Sequence, residues 1–286
     1  MKMSEIGFSF ANLRKSIGPV KVREFYLPCT EMVDACRADD STFCQETVAS
    51  GILTESQMRH AAERYRLGKS RNGKCIFWMI NEKGSVLDGR IDSTIVSFDD
   101  ALPIWISQML KARDPELLSF WQPSHCLFGL HLIPPPEGCG VPLRKHSWPT
   151  AGCGVPLRKH SARGGTTSQD VFERNITALN RPVALVESER SAVILSELFP
   201  QFTWLATISN LHFTLNMLEP LKGRKVVIYP PTDTTGSTYL FWYDIADRVR
   251  KDYHLDISVS YLLEDQATPQ QKEAGIDLVG YLFSNA

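Results

Sequence analysis

Short apolar runs alternate with amphipathic segments from residue 181 onward. Four of these runs predict strands, at residues 182–187, 202–207, 224–230 and 255–263. Two segments between them predict helices: SERSAVILSELFP, which Pro200 closes, and STYLFWYDIADRVRKDY. Apolar strands that alternate with helices indicate a mostly parallel sheet that is covered on both faces. The pattern therefore predicts an α/β fold for residues 181–286.

Residues 54–133 have a different pattern, which is typical of a small α+β unit. TESQMRHAAERYRLG predicts a helix with Thr54 as its N-cap and Gly68 at its end. CIFWMI, the turn NEKG and SVLDGRI predict a hairpin, and ALPIWISQML and DPELLSFW predict short helices. Residues 1–53 show no clear pattern, so we assign them no fold or role.

Large aromatic side chains occur within the predicted strands and helices. They favour a place in the core over base stacking, and the residues concerned are Trp78, Trp204, Phe241 and Trp242. The histidines form no triad pattern with Ser or Cys that would indicate a hydrolase.

Residues 134–180 are rich in Pro and Gly near their start and are predicted to form a loop or linker. GCGVPLRKHS occurs twice there, at residues 138–147 and 152–161, which is too few copies for a solenoid. Five basic residues of this stretch form a patch that could contact phosphates, although a solvated loop explains them equally well. Its members are Arg144, Lys145, Arg158, Lys159 and Arg163.

Cysteine and histidine spacing does not predict a zinc site. The repeat places four candidate ligands seven residues apart, but a duplication produces this regularity by itself and the spacing is not that of a known finger. These residues are Cys139, His146, Cys153 and His160. Cys29, Cys36 and Cys44 form no CxxC pair, so an N-terminal zinc ribbon is not evident either.

Composition restricts the class of protein. The chain has 43% hydrophobic and 22% charged residues, a formal net charge of −1 and seven scattered Cys. It contains no apolar run long enough for a membrane span, and the first residues do not resemble a secretory signal. We therefore expect a cytoplasmic protein with reduced thiols and no membrane partner. Any contact with nucleic acid must use a local patch, because the net charge is close to zero.

Two acidic residues follow predicted strands of the C-terminal part. Glu187 ends the first strand, in LVES, and Asp233 lies in the turn after the third strand, in VVIYPPTDTTG. In open parallel sheets, ligands bind at the carboxyl ends of the strands, so both residues are candidates for a functional site. Pro231, two positions before Asp233, offers no side-chain oxygen.

These motifs resemble the Toprim domain of bacterial primases and topoisomerases. In that family a Glu ends the first strand and an Asp-x-Asp motif follows a later strand. Glu187 matches this Glu, Asp233 matches the second Asp, and Pro231 occupies the place of the first Asp. ERYRLG, IFWMINEKGSVLDGRI and HCLFGLHLI resemble the segment that precedes Toprim in DnaG-type primases. More narrowly, the chain resembles Toprim-containing, primase-like proteins of Bacteroidetes mobile elements.

One further departure from the family lies after WLAT. Family members tend to have a Gly-rich turn there, which lets the backbone approach the substrate closely. This chain has ISNLHFTLN instead, and side chains such as Ile208 and Leu211 would occupy that space.

The resemblance implies a primase-core-like subdomain at 54–133 and a Toprim-like domain at 181–286, joined by the linker 134–180. It implies DNA or RNA as a partner in mobile-element DNA replication, with a replication helicase as a further candidate partner. In an active protein, Glu187 and Asp233 would hold Mg²⁺ and would take part in nucleotidyl transfer.

A second interpretation assigns both acids ordinary structural roles. Glu187 would cap or charge the start of the next helix, and Asp233 would be a turn residue before Gly236. The chain would then be a catalytically inactive Toprim-like module that binds nucleic acid or a protein partner.

Overall fold

The structure, a computed structural model of the chain, describes residues 27–92, 104–116, 122–133, 181–208 and 213–284. The described elements of its first part, up to Ile133, are helices α1 (Thr30–Cys36), α2 (Thr42–Ala49) and α3 (Glu55–Tyr65), strands β1 (Gly68–Lys69), β2 (Cys75–Ile80), β3 (Val86–Ile91) and β4 (Ile104–Trp105), helix α4 (Ile106–Arg113), and a 3-10 helix at Leu130–Leu132.

Helix α3 begins where the sequence predicts it. Thr54 Oγ1 accepts a hydrogen bond from the Gln57 amide at 3.3 Å, and Gln57 Oε1 accepts one from the Thr54 amide at 3.0 Å, which completes a capping box. The helix ends at Tyr65, so the prediction that Gly68 ends it is wrong. Gly68 lies in β1, where a Cβ would stand 2.9 Å from Trp78 Nε1, and this close approach explains the glycine.

The first part contains an antiparallel sheet in the order β1-β2-β3-β4. All six residues of β2 are buried. Alternate β2 residues belong to different cores: Cys75, Phe77 and Met79 to the main one, and Ile76, Trp78 and Ile80 to a smaller one that includes Val33 of α1. Because successive side chains of a strand point to opposite faces, burial on both faces explains why CIFWMI is apolar throughout.

The second part, from Arg181, is the predicted α/β alternation. Its described elements are β5 (Val183–Val186), α5 (Glu189–Leu198), β6 (Thr203–Ala206), a 3-10 helix at Leu215–Leu221, β7 (Lys225–Ile228), α6 (Ser237–Tyr253), β8 (Asp256–Val259), α7 (Leu262–Gln266), α8 (Pro269–Glu273) and α9 (Leu278–Phe283). Strands β5 to β8 pair in parallel in the order β6-β5-β7-β8, which confirms the parallel sheet.

Strand β5 is central to this sheet. Val183 pairs with Thr203 of β6 on one side and with Val226 of β7 on the other. The chain passes from β5 to β6 and then crosses back to β7, so the direction of winding reverses between β5 and β7. Open α/β sheets bind ligands outside the carboxyl ends of the strands at such a reversal. The residues just after β5 and β7 are therefore the candidates for a ligand-binding site.

The two parts share one hydrophobic core among the described residues. Tyr65 of α3 stacks on Phe128 at 5.1 Å, and its hydroxyl donates to the Trp204 carbonyl at 2.8 Å. The Phe128 and Ala206 backbones exchange two hydrogen bonds, of 2.9 and 3.1 Å, so that β6 is paired on its outer side as well. The segment HCLFGLHLI thus connects the first part to the edge of the parallel sheet.

Several local predictions are confirmed and others are wrong. Helix α6 has the predicted bounds, and Trp78, Trp204 and Trp242 are buried. Phe241 is 41% exposed, because it lies on the outer side of α6, so its assignment to the core is wrong. Helices α1 and α2 lie in the stretch where the sequence shows no clear pattern. Both helices are short and have few buried positions, so they give little periodicity.

Candidate functional site at the carboxyl edge of the parallel sheet

Glu187 directly follows β5 at the point where the winding reverses. Its carbonyl accepts a hydrogen bond from the Ile208 amide at 2.9 Å, which holds its backbone beside the end of β6. Its carboxylate has no hydrogen-bond or ion-pair partner among the described residues. Burial raises the pKa of Glu187, and the negative charges of Asp277 and Glu189 raise it further. A partly buried acid without a partner, close to a second acid, is typical of a functional site.

Asp277 is the acid beside Glu187 that sequence reasoning missed. It precedes α9, where Oδ1 accepts from the Gly280 amide at 2.9 Å and Oδ2 accepts from the Ser191 hydroxyl. The Thr232 amide donates to the Ile276 carbonyl at 2.9 Å, so the loop after β7 holds this segment against the carboxyl edge. The N-cap pattern DLVG reveals a helix start, but no local pattern shows its proximity to β5.

Thr207 and Ile208 give the end of β6 two unusual features. Thr207 is 2% exposed, and its hydroxyl has no hydrogen-bond partner among the described residues. The Thr207 amide donates to the Val186 carbonyl at 3.0 Å, which continues the parallel ladder past β5 and β6 and sets Thr207 alongside Glu187. Ile208 has φ 76°, a left-handed conformation that is costly for a β-branched residue. Strained and unpaired groups of this kind cluster at functional sites.

Ile208 occupies a backbone conformation that suits glycine, at the place where a Gly-rich turn is expected from the resemblance. Ile208→Gly should therefore be about 1 kcal/mol more stable than Ile208→Ala, because only glycine adopts this φ without strain. Urea denaturation of both variants measures the order. The same pair of substitutions at Ile194, inside α5, is the control and should give the opposite order. If Ile208→Ala is more stable than Ile208→Gly, the backbone at Ile208 is not strained.

Asp233 lies in the loop after β7, and its carboxylate is directed at the start of α6. Oδ1 accepts from the Thr235 amide and hydroxyl at 2.7 and 2.6 Å and from the Ser237 amide at 3.2 Å. Oδ2 accepts from the Thr238 amide at 2.7 Å and from the Ser237 hydroxyl at 3.3 Å. Hydrogen bonds from Thr235 and Thr238 hold the pKa of Asp233 well below its usual range. This is the geometry of a helix-capping anion.

Glu189, whose direction the sequence leaves open, points away from Glu187's edge toward the first part. It is 1% exposed and forms a two-point ion pair with Arg90 of β3, in which Arg90 Nη2 lies 2.5 Å from Glu189 Oε2 and Nε donates to Oε1. Burial acts to lower the pKa of Arg90, but the charge and hydrogen bonds of Glu189 outweigh it and raise that pKa. The next residue, Arg190, pairs with Asp92 at 2.5 Å. Two adjacent ion pairs thus join GRID (residues 89–92) to ESER (residues 187–190). ESER supplies the acid in one pair and the base in the other.

Other predicted site residues lie outside the described residues. These are the basic patch Arg144, Lys145, Arg158, Lys159 and Arg163, the repeat residues Cys139, His146, Cys153 and His160, and Leu211. Within the described ranges, no group of three or more His, Cys, Asp or Glu side chains could hold a metal ion. In the same ranges, no helix is long and apolar enough to cross a membrane.

Fold and site together define a mixed α/β protein with a partly buried acid, unpaired among the described residues, at the reversal point of a parallel sheet. A family model described as "Domain of unknown function (DUF6371)" matches residues 43–141 and 168–232, more than half of the chain, and the chain belongs to this family. The matched residues include Glu187 and end one residue before Asp233. The gap between the two matched ranges contains the second copy of the repeat. No curated protein and no solved structure matches the chain.

Proposed function

We propose that the chain is a Toprim-like, primase-related protein that acts on DNA or RNA in mobile-element replication, and that its chemistry depends on Glu187. The observation that carries this proposal is the Glu187 carboxylate, which lies at the reversal point of the sheet with its pKa raised and with no partner in the part of the chain that the structure describes. A structural carboxylate in such a place would ordinarily be neutralised by a cation or by helix amides. Glu187 instead keeps its oxygens available for a ligand.

Mg²⁺ is the cofactor that this chemistry would use. Mg²⁺ is commonly bound through one or two carboxylates, with waters and substrate phosphates as its other ligands. Glu187 fits such a site, and Asp277 is a second acid near enough for its charge to raise the pKa of Glu187. Asp233 fits less well, because its two oxygens already accept five hydrogen bonds at the start of α6, whereas each oxygen of Asp277 accepts one. A bound Mg²⁺ would neutralise phosphate charge during nucleotidyl transfer.

The residues of the chain have distinct parts in this proposal. Glu187 and Asp277 would anchor the metal and through it the phosphate of the nucleic acid. Thr207 would supply a neutral hydroxyl at the same edge, since no described residue forms a hydrogen bond with it. Asp233 would keep the loop after β7 in place through its bonds to α6.

A catalytically inactive Toprim-like binding module is the second candidate function. Two observations favour it: Pro231 stands where the resemblance expects an acid, and Asp233 is engaged as a helix cap. This candidate predicts salt-sensitive binding to nucleic acid that does not depend on Mg²⁺.

Glu187→Gln separates a ligand site from a structural acid. Burial raises the pKa of Glu187 in the folded state above its ordinary value of 4.5. Ionisation of Glu187 therefore lowers the free energy of unfolding as the pH rises from 4.5 through this folded-state pKa. At pH 8 without metal, the variant should therefore melt at a higher temperature than the wild type. The difference should disappear near pH 4. Thermal unfolding by circular dichroism at both pH values measures it.

Mn²⁺ provides the functional half of this experiment. Added Mn²⁺ should raise the Tm of the wild type, because a ligand that binds only the folded state stabilises it, and should leave Glu187→Gln unchanged. Primer synthesis with template, nucleotides and Mg²⁺ should be lost in the same variant. Pro231→Asp is the matched gain-of-site variant, and metal binding that arises only in Pro231→Asp favours the inactive module. An equal Mn²⁺ response in wild type and Glu187→Gln removes Glu187 from the metal site.

A further inference from the structure

A cavity of about 370 Å³ opens beside the start of α6, next to the loop that follows β7. Its lining includes Asp233, Tyr239, Leu240, Tyr261, Glu264 and Lys272. It lies on the same carboxyl side of the sheet as Glu187, since the loop after β7 and the turn after β8 both contribute to it. The volume is at the small end of the range for ligand pockets, so it suits one planar ring system and is too small for a partner's helix.

Tyrosine rings form the apolar part of this cavity. Tyr261 is 57% exposed, and the ring of Tyr239 meets it edge-on at 5.1 Å with an interplanar angle of 78°. Tyr243 lies 6.1 Å from Tyr239 and extends the row of rings along α6. Leu240, 62% exposed, also borders the cavity. Large apolar side chains that stay exposed around a cavity indicate a binding surface.

The charges around the cavity decide which ligand suits it. Glu264 accepts hydrogen bonds from Thr232 at 2.9 Å and from Lys272 at 3.4 Å, so its charge is already paired. Asp233 is engaged with the start of α6. A lysine or arginine side chain would therefore find no spare counter-charge. A nucleobase needs none, because it binds by stacking its face on an aromatic ring.

We propose that this cavity holds one unpaired base of a single-stranded nucleic acid, stacked on Tyr261 with Tyr239 as its edge-on support. The inference rests on the proposed function and names the part of the nucleic acid that this side of the sheet recognises. Stacking is tolerant of base identity, so the cavity contributes affinity with little sequence preference.

Fluorescence anisotropy with a labelled single-stranded DNA 12-mer tests the proposal on the full chain, in EDTA. Tyr261→Ala should weaken binding by roughly tenfold or more, the loss that removal of one stacked base produces. Tyr261→Phe, which keeps the ring, should bind like the wild type. Phe241→Ala is the control, because Phe241 is an exposed aromatic side chain of α6 that does not line the cavity. This variant should bind like the wild type. Circular dichroism melts establish that each variant is folded.

A 12-mer of abasic sites completes the experiment. It should bind the wild type more weakly than the base-bearing strand does, and Tyr261→Ala should cause no further loss with it. The proposal is overturned by a Tyr261→Ala variant that binds the base-bearing strand normally, by an equal loss on the abasic strand, or by a wild type that binds a Lys- and Arg-rich peptide in place of DNA. Because EDTA removes divalent metal, these outcomes are separate from the Mn²⁺ response that tests Glu187.

Discussion

Glu189→Gln is expected to lower the free energy of unfolding by about 3 kcal/mol, because it leaves the Arg90 charge buried and unpaired. The Arg90 side chain is only 15% exposed, and both of its bonds to Glu189 would be weakened. Arg90 also lies over the Phe77 ring at 5.6 Å, so it cannot turn to solvent without leaving the main core. Urea denaturation followed by tryptophan fluorescence measures the loss.

Two further variants show whether the loss comes from the unpaired charge. Asp247→Asn breaks two surface ion pairs, with Lys251 and Arg250, and should change the denaturation midpoint little, because such pairs contribute little to stability. Arg90→Met combined with Glu189→Leu removes both charges and should recover much of the stability, since a buried pair often contributes little net stability. A double variant as unstable as Glu189→Gln would assign the effect to lost packing.

Gly129→Ala is the second substitution with a large expected effect, a loss of about 2–5 kcal/mol. Gly129 has φ 82°, which strains any residue with a Cβ by about 1–2 kcal/mol. The added Cβ would also meet Tyr65 at 3.0 Å, Leu205 at 3.1 Å and the Trp204 carbonyl at 3.2 Å. Overpacking of this kind costs a further 1–3 kcal/mol, because neither the carbonyl nor the ring can move without disturbing the core.

Gly51→Ala is the matched control, because it isolates the backbone part of this effect. Gly51 has φ 72°, but a Cβ there would meet no atom within 4 Å. The difference between the two variants in thermal or urea denaturation therefore measures how tightly HCLFGLHLI is packed between α3 and β6. Equal losses at both positions would mean that this junction is loosely packed.

These two predictions concern the same structural question, which is how the first part supports the carboxyl edge. Glu189 and Arg190, two and three residues after Glu187, pair with Arg90 of β3 and with Asp92 just after it. The Phe128 bridge fixes β6, and Thr207 and the strained Ile208 directly follow that strand. Variants that loosen either contact should therefore disturb the geometry around Glu187 as well as the stability.

Local sequence pattern was a good guide to the elements of the second part. The bounds of α6 follow directly from its amphipathic repeat, and the apolar runs identify β5 to β8. The strand predicted at 255–263 is too long, because β8 ends at Val259 and Leu262 begins α7. Short helices with few buried positions, such as α1, give little periodicity and are missed for that reason. Phe241 was misplaced because a helix with aromatic residues on several sides does not show which of them faces the sheet.

The sequence by itself determined the parallel α/β architecture and the position of Glu187 at the end of a core strand, because both depend on the local period of apolar residues. Only the tertiary structure decided the surroundings of that acid. Asp277 reaches it through the contact between the loop after β7 and the segment before α9, and Glu189 turns away to Arg90. Contacts between residues so far apart in the chain depend on strand order and helix packing, which no local pattern encodes.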